Sequence, residues 1–433
     1  MDAPSTHPIF EPLRIGNLQL RNRVIKTATY EGMVVDGLPS QALQRHHVEL
    51  ARGGVGMTTV AYCAVSPEGR TFEDQMVMRR ETVAPLRALT DAIHREGAAA
   101  MLQLGHCGGF SKNAALGWRG PLGPSRGFNA YGVLKGMPLA RAMTVEDIER
   151  TTADFVESAR WAIAAGFDAV ELHLGHGYLL SQFLSPRLNR RRDRYGGSLA
   201  NRLRFPLAVV QGVRAALGPQ APIFAKINLD DGIGDGLHID DAVAVAQALE
   251  GQGTSALVLS GGLVSHSALF LLRGARPLRQ MIAVEPNPLQ KLAIALFGPI
   301  FVPKTAFAPL FFLPLAQKVR AAVRLPLVYV GGAAHLDDLA RVRAQGFELV
   351  AMGRALIREP TLIQRYAQGQ ATTSRCQPCN QCITEMDRPG GVACAQEPWQ
   401  LARRRDEVQA GLHRRVCGDR EPMPPPPATD PPP

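Results

Sequence analysis

A closed parallel (β/α)8 barrel, the TIM barrel of the α/β class, is the fold this sequence predicts, on three observations. Short β-branched runs alternate with segments of helical periodicity along most of the 433 residues. The runs are almost continuously apolar, as strands covered on both faces by helices must be. No G-x-G-x-x-G follows the first of them, which disfavours the competing open, doubly wound sheet.

The predicted strands are 24–29, 57–62, 99–104, 168–174, 222–228, 256–260, 327–330 and 349–352. Helical spacing places helices over 41–52, 80–96, 145–165, 199–217, 240–252, 336–345 and 360–368. Two insertions enlarge the minimal barrel: a Gly-rich loop, 105–143, after strand 3, and a long excursion, 261–316, after strand 6. Both leave the C-terminal face, where barrel enzymes build their sites. The second contains LFLLRG, LALFGPIFV and PLFFLPLA, read first as plain barrel packing. Lining a substrate tunnel, capping the barrel or a homo-oligomer contact are other uses of such apolar faces. The expected division is a barrel over 1–370, a Cys-rich C-terminal segment over 371–417 packed on it, and a disordered Pro-rich tail over 418–433.

A composition 46% hydrophobic and 20% charged excludes collagen, coiled coil and wholesale disorder. The N-terminus shows neither the basic region nor the apolar core of a signal peptide. The most apolar stretch, 292–315, is broken by Pro299, Pro303, Pro309 and Pro314 and carries Lys304, so no membrane span is expected and the cytoplasm is the expected location. The net charge of +10 is partly local, in Arg187, Arg190, Arg191, Arg192 and Arg194 and in Arg403, Arg404 and Arg405. No nucleic-acid motif surrounds these runs and aromatics are 6% of the chain, so they read as a solvated, salt-bridged face rather than a nucleic-acid site.

The strand ends carry the chemistry. Strand 4 closes as Glu171-Leu-His-Leu-Gly-His-Gly-Tyr178. Residues three apart on a strand face opposite sides, but breaks at Gly175 and Gly177 let His173 and His176 turn into the same mouth. Paired neutral imidazoles donate well to a carbonyl or phenolate oxygen, and the phenol of Tyr178 can protonate carbon. A His-rich turn that only satisfies local backbone groups, or ligates a metal, fits the spacing equally. Lys226, inside the apolar strand PIFAKINL, needs a partner or a function, and a structural ion pair would supply the former. Gly331-Gly332 after strand 7 and Gly353-Arg354 after strand 8 fit a barrel phosphate site: backbone N–H groups at a helix start, with a guanidinium beside them.

The stretch His173 to Phe205, HLGHGYLLSQFLSPRLNRRRDRYGGSLANRLRF, resembles the Old Yellow Enzyme family, in its bacterial NADH:flavin oxidoreductase branch and the flavin domain of 2,4-dienoyl-CoA reductase. IFEPLRIGNLQLRNRV (9–24), AVSPEGR (64–70), LQLGH (102–106), VGG (330–332) and AMGRALIREP (351–360) extend the resemblance over about residues 8–398. It implies FMN across the barrel mouth, NAD(P)H as reductant and a small-molecule substrate with an activated C=C bond. Thr27, Ala28, Thr29 and Tyr30 would pass beside the flavin, Ala28 and Thr29 departing from the family pattern and Tyr30 also facing substrate. Main chain near Tyr62 and the amide of Gln103 would meet the pyrimidine edge. Lys226, where relatives have Arg, would offset charge at the reduced ring, with Gly331, Gly332, Gly353 and Arg354 on the phosphate. His106-Cys-Gly-Gly109 lacks the Arg usual in this turn, which puts anionic contacts there in doubt.

Cys376, Cys379, Cys382 and Cys394 fall together, and metal is the natural reading of such a cluster where disulfides are not expected. Thiolates suit a [4Fe-4S] cluster or zinc almost equally. The resemblance implies [4Fe-4S], with a spacing closer to the amine dehydrogenases than to the dienoyl-CoA reductases. That opens a second function, an amine dehydrogenase or demethylase passing electrons through the cluster. A third is a flavin- or metal-binding scaffold without turnover, against which the intact His173, His176 and Tyr178 set argues. Cys63, Cys107 and Cys417 read as core or surface thiols.

Overall fold

The structure, a computed structural model, describes residues 6–411 apart from 286, 303 and 304. Eight parallel strands close a barrel: β1 Val24–Lys26, β2 Met57–Ala64, β3 Ala99–Gly105, β4 Ala169–Leu174, β5 Ile223–Asn228, β6 Ala256–Ser260, β7 Leu327–Val330 and β8 Leu349–Met352, with β8 pairing back onto β1. Helices follow as predicted at Gln41–Arg52, Arg80–Arg95, Val145–Ala164, Leu199–Leu217, Ile239–Gly251 and Leu336–Ala344. The predicted helix 360–368 is shorter, Leu362–Ala367, and is preceded by a separate turn of helix, Arg354–Arg358. The helix missing after strand 6 is Leu313–Ala322, at the end of the excursion. The first strand stops at Lys26 rather than residue 29, so Thr27, Ala28 and Thr29 belong to the mouth.

An N-terminal hairpin, Leu13–Ile15 with Leu18–Leu20, plugs the bottom of the barrel. Its Ile15, Leu18 and Leu20 pack on inward residues including Met101, Phe224 and Val258. A second core lies between the strands and the helical ring. Loop 105–143 builds a three-stranded sheet of its own over the mouth. The excursion after β6 forms Val264–Leu272, Leu278–Val284 and Pro288–Phe301. Plain packing does not describe it: Leu289, Leu292, Leu296 and Phe297 are exposed, while Leu271, Leu272, Phe307 and Phe311 line a cleft. Among the described residues no helix is long and apolar enough to cross a membrane.

The described part of the Cys-rich segment is wedged between two mouth elements. Val392 N–H donates to Glu31 C=O at 2.7 Å, and Ala275 N–H donates to Pro378 C=O at 2.9 Å. Gly391 has φ +72°, and a Cβ there would collide with the carbonyl oxygen of Glu31. The loop beside the mouth and the Cys segment thus pack backbone to backbone. Cys417 and the tail 418–433 lie outside the described residues.

Candidate active site

Register brings the polar side chains of the barrel interior together. Glu171 stands opposite Gln103 across β3 and β4, and His173 stands opposite Lys226 across β4 and β5. Glu171 and His173, two apart, share one face of β4. Lys226 Nζ lies 2.9 Å from Glu171 Oε1, and Gln103 Nε2 donates to the same oxygen at 2.6 Å. The ammonium also reaches Thr27 Oγ1 at 3.2 Å. Both charged side chains are 2% exposed. Lys226 therefore has the ion-pair partner its burial demands.

Beyond Lys226 an open cleft runs across the mouth to Arg354. Thr27, Ala28, Thr29, Lys226, Gly331, Gly332, Gly353 and Arg354 all line it, and so do His176, Ser260 and Cys376. Tyr30, Tyr62 and Gln103 do not appear in that lining. Tyr30 stacks on Phe72 with ring centroids 5.0 Å apart. The Tyr62 carbonyl accepts from Gln75 Nε2 at 3.2 Å, and one N–H of the Gln103 amide is taken by Glu171, leaving its second N–H and its oxygen for other contacts.

Small residues (glycine, alanine and threonine) make up nearly half of the cleft's walls and larger apolar side chains much of the rest, with a cation at each end. Such a slot fits an elongated, flat, anionic group, and FMN has that shape and charge. The N–H groups opening the helix Arg354–Arg358 have no acceptor within that helix. Arg354 is held by donating to the Arg273 carbonyl at 3.0 Å and to Asn380 Oδ1.

His173, His176 and Tyr178 meet at the other side of the mouth. His176 has φ +60° and Gly177 φ +79°, the left-handed turn that brings residues three apart to one place. The His176 N–H donates to Asn228 Oδ1 at 2.9 Å, and Ser260 Oγ lies 2.8 Å from its Nε2. Gly175 N–H donates to His173 Nδ1 at 3.4 Å, which leaves Nε2 as the protonated nitrogen. The two imidazoles meet edge-on at 5.0 Å, and Tyr178 stacks on His173 at 4.3 Å. Burial lowers both histidines, reinforced by each other's proximity at His173 and by Lys226 at both; His176 falls to about 3. Burial raises the Tyr178 phenol, so it keeps its proton. At neutral pH the cluster offers two neutral imidazoles and one phenol.

Several residues here escaped sequence reasoning. Glu171 lay inside the quoted motif without a role; its signal was a carboxylate in an apolar strand. Asn228 and Ser260 end β5 and β6, with no local signal of their own. Lys26 and Glu31 form a second buried pair at 2.6 Å beneath the loop of Thr27 to Tyr30, with His47 3.5 Å away.

Among the described residues no group of three or more His, Cys, Asp or Glu is placed to hold a metal ion. The predicted set of Cys376, Cys379, Cys382 and Cys394 is thus not assembled as ligands. All four act electrostatically on one another's neighbourhood, and burial raises Cys376 to about 11 and Cys382 to about 12, against Arg354.

A parallel barrel with this cleft, a cation at each end, suits an FMN-dependent oxidoreductase. Residues 8–270 match the NADH:flavin oxidoreductase / NADH oxidase family, and the chain belongs to it. The 4,4'-dithiodibutanoate disulfide reductase of Rhodococcus erythropolis is 42% identical over 386 residues, covering 88% of this chain and 94% of that protein. The NADH oxidase of Thermoanaerobacter brockii is 30% identical over 377 residues, and there the match covers 86% of this chain and 52% of that one. In fold, the Old Yellow Enzyme homologue from Zymomonas mobilis superposes with a TM-score of 0.65 at 22% identity, over 85% of this chain and 94% of that one.

Proposed function

We propose that this NADH-dependent flavin oxidoreductase reduces the activated C=C bond of a small carbonyl compound. The observation that carries the reading is the neutral His173–His176 pair with Tyr178 stacked on His173 at 4.3 Å. FMN, when bound, supplies hydride transfer from NADH to the oxidant. Lys226, tied to Glu171, would meet the ring, and Arg354 with the Gly331, Gly332 and Gly353 turns would hold the phosphate. His173 and His176 hold the substrate carbonyl oxygen and polarise the double bond. Neutral donors do this without a desolvated positive charge. Tyr178 keeps the proton destined for the α-carbon. The balance is one hydride from NADH and one proton, giving the saturated carbonyl compound and NAD+.

A second reading rests on the 42% identity to a disulfide reductase over nearly its whole length. The same donors would then face an organic disulfide, with NADH and a proton yielding two thiols and NAD+. The experiment is a double mix: anaerobic holoprotein reduced with NADH, then met by 2-cyclohexenone or by 4,4'-dithiodibutanoate. Fast flavin reoxidation by the enone, with the saturated ketone recovered, supports the first reading. Reoxidation by the disulfide alone replaces it with the second, and reoxidation by neither removes both.

A further inference from the structure

Loop 105–143 carries Lys112, Arg119, Arg126, Lys135 and Arg141 and no acidic residue, and it folds over the mouth of the site. A one-signed cleft rim attracts ligands of the opposite sign. One of these cations is held in place. The Lys112 N–H donates to Thr71 C=O at 2.7 Å. Next to it, Ser111 is locked in both directions by the fully buried Asn129: Ser111 N–H donates to Oδ1 at 3.2 Å and Asn129 Nδ2 donates to Ser111 C=O at 3.0 Å.

The Lys112 ammonium sits 5.8 Å from the Phe72 ring and 5.5 Å from the Tyr131 ring. Among the described residues it makes no ion pair. Asp387 interacts with it electrostatically without a direct contact: burial pushes that carboxyl up, Lys112 draws it down and Glu285 pushes it up again. From Tyr131 a chain of ring contacts leads back to the reactive cluster: Phe110 at 5.5 Å, then Tyr178 at 5.3 Å, then His173 at 4.3 Å. The wall is apolar in between and charged at its far end.

We propose that Lys112 is a specificity-determining residue and that the substrate is a carboxylate whose anionic end lies along this wall, away from the bond reduced. The inference rests on the reading of His173 and His176 as the donors for that bond. It also answers the missing Arg of the His106–Gly109 turn: the cation is three residues further on.

The test uses FMN-loaded protein and phenols that carry an acid: 4-hydroxybenzoate, 4-hydroxyphenylacetate and 3-(4-hydroxyphenyl)propanoate, each against its methyl ester. Dissociation constants are read from the perturbed flavin absorbance. In the wild type at least one acid binds roughly ten- to a hundredfold more tightly than its ester, as one charge-assisted hydrogen bond allows. Lys112→Met removes that preference and leaves ester affinity unchanged, and Lys112→Arg keeps it. Equal binding of every acid and ester in the wild type, or a preference that survives in Lys112→Met, overturns the proposal. Absence of phenol binding altogether would sink the histidine reading instead. Lys112 is then decided by KM for 4,4'-dithiodibutanoate against its dimethyl ester: a lower KM for the diacid, lost in Lys112→Met, sustains it, and equal values overturn it.

Discussion

Lys226 faces His173 in strand register but binds Glu171, two residues back on the same face of β4, at 2.9 Å. Glu171 is shared, since Gln103 donates to the same oxygen at 2.6 Å. One buried carboxylate therefore orients both side chains expected at the flavin ring, and it sets how much of the Lys226 charge the ring feels.

Glu171→Gln keeps the shape and removes the negative charge. The positive charge of Lys226 is then unbalanced and favours the anionic reduced flavin, so the midpoint potential of bound FMN should rise. Spectroelectrochemical titration measures it, and a fall would contradict this account. Leaving one member of a buried pair alone also costs about 3–5 kcal/mol of stability, readable by urea unfolding.

His173→Ala and His176→Ala should each weaken phenol binding by about 1.5–3 kcal/mol, one charge-assisted hydrogen bond lost. Flavin reduction by NADH should survive better than oxidant reduction. Ser260→Ala, which frees the His176 ring, should fall between wild type and His176→Ala. Absorbance titration with p-chlorophenol checks all three, and unchanged affinities would mean that these imidazoles are not the oxyanion donors.

Tyr178→Phe should slow reoxidation of reduced enzyme by an enone by ~10²–10⁴-fold, the loss of a positioned general acid. The reductive half-reaction should barely change. Stopped-flow absorbance separates the two, and an enone step of wild-type speed would assign protonation to solvent.

His106 is buried near the mouth, and burial, with Arg150 adding, holds it at about 3 against an ordinary 6.5. Between those values the unfolded chain takes up a proton that the folded chain refuses. The stability this neutral histidine provides is full above pH 6.5 and is lost as the pH falls toward 3, by up to about 1.4 kcal/mol per pH unit. His106→Gln should remove that component, so its unfolding free energy should fall less steeply between pH 6 and pH 4, on the order of one proton's difference in slope. Parallel slopes would show that His106 does not titrate as the fold implies.

What was legible in the chain was whatever local pattern encodes. β-Branched runs alternating with helical periods mark the barrel, because each strand and helix is stabilised by its own periodic apolar face. The turn of His173, His176 and Tyr178 was legible because Gly175 and Gly177 permit it within eight residues, and the glycines after β7 and β8 marked the far end of the cleft in the same way. What tertiary structure alone decided depends on closure of the barrel. Gln103, Glu171 and Lys226 come from three strands, far apart in sequence, and share one oxygen only because register sets them side by side. Asn228 and Ser260 hold His176 from the ends of β5 and β6. The excursion after β6 reads as one apolar stretch, yet its aromatics divide between cleft wall and exposed surface, since sequence hydrophobicity states that a side chain leaves water but not which surface receives it. Lys112 was one basic residue among five in its loop, and only the folded loop sets it between Phe72 and Tyr131 at the end of an aromatic wall.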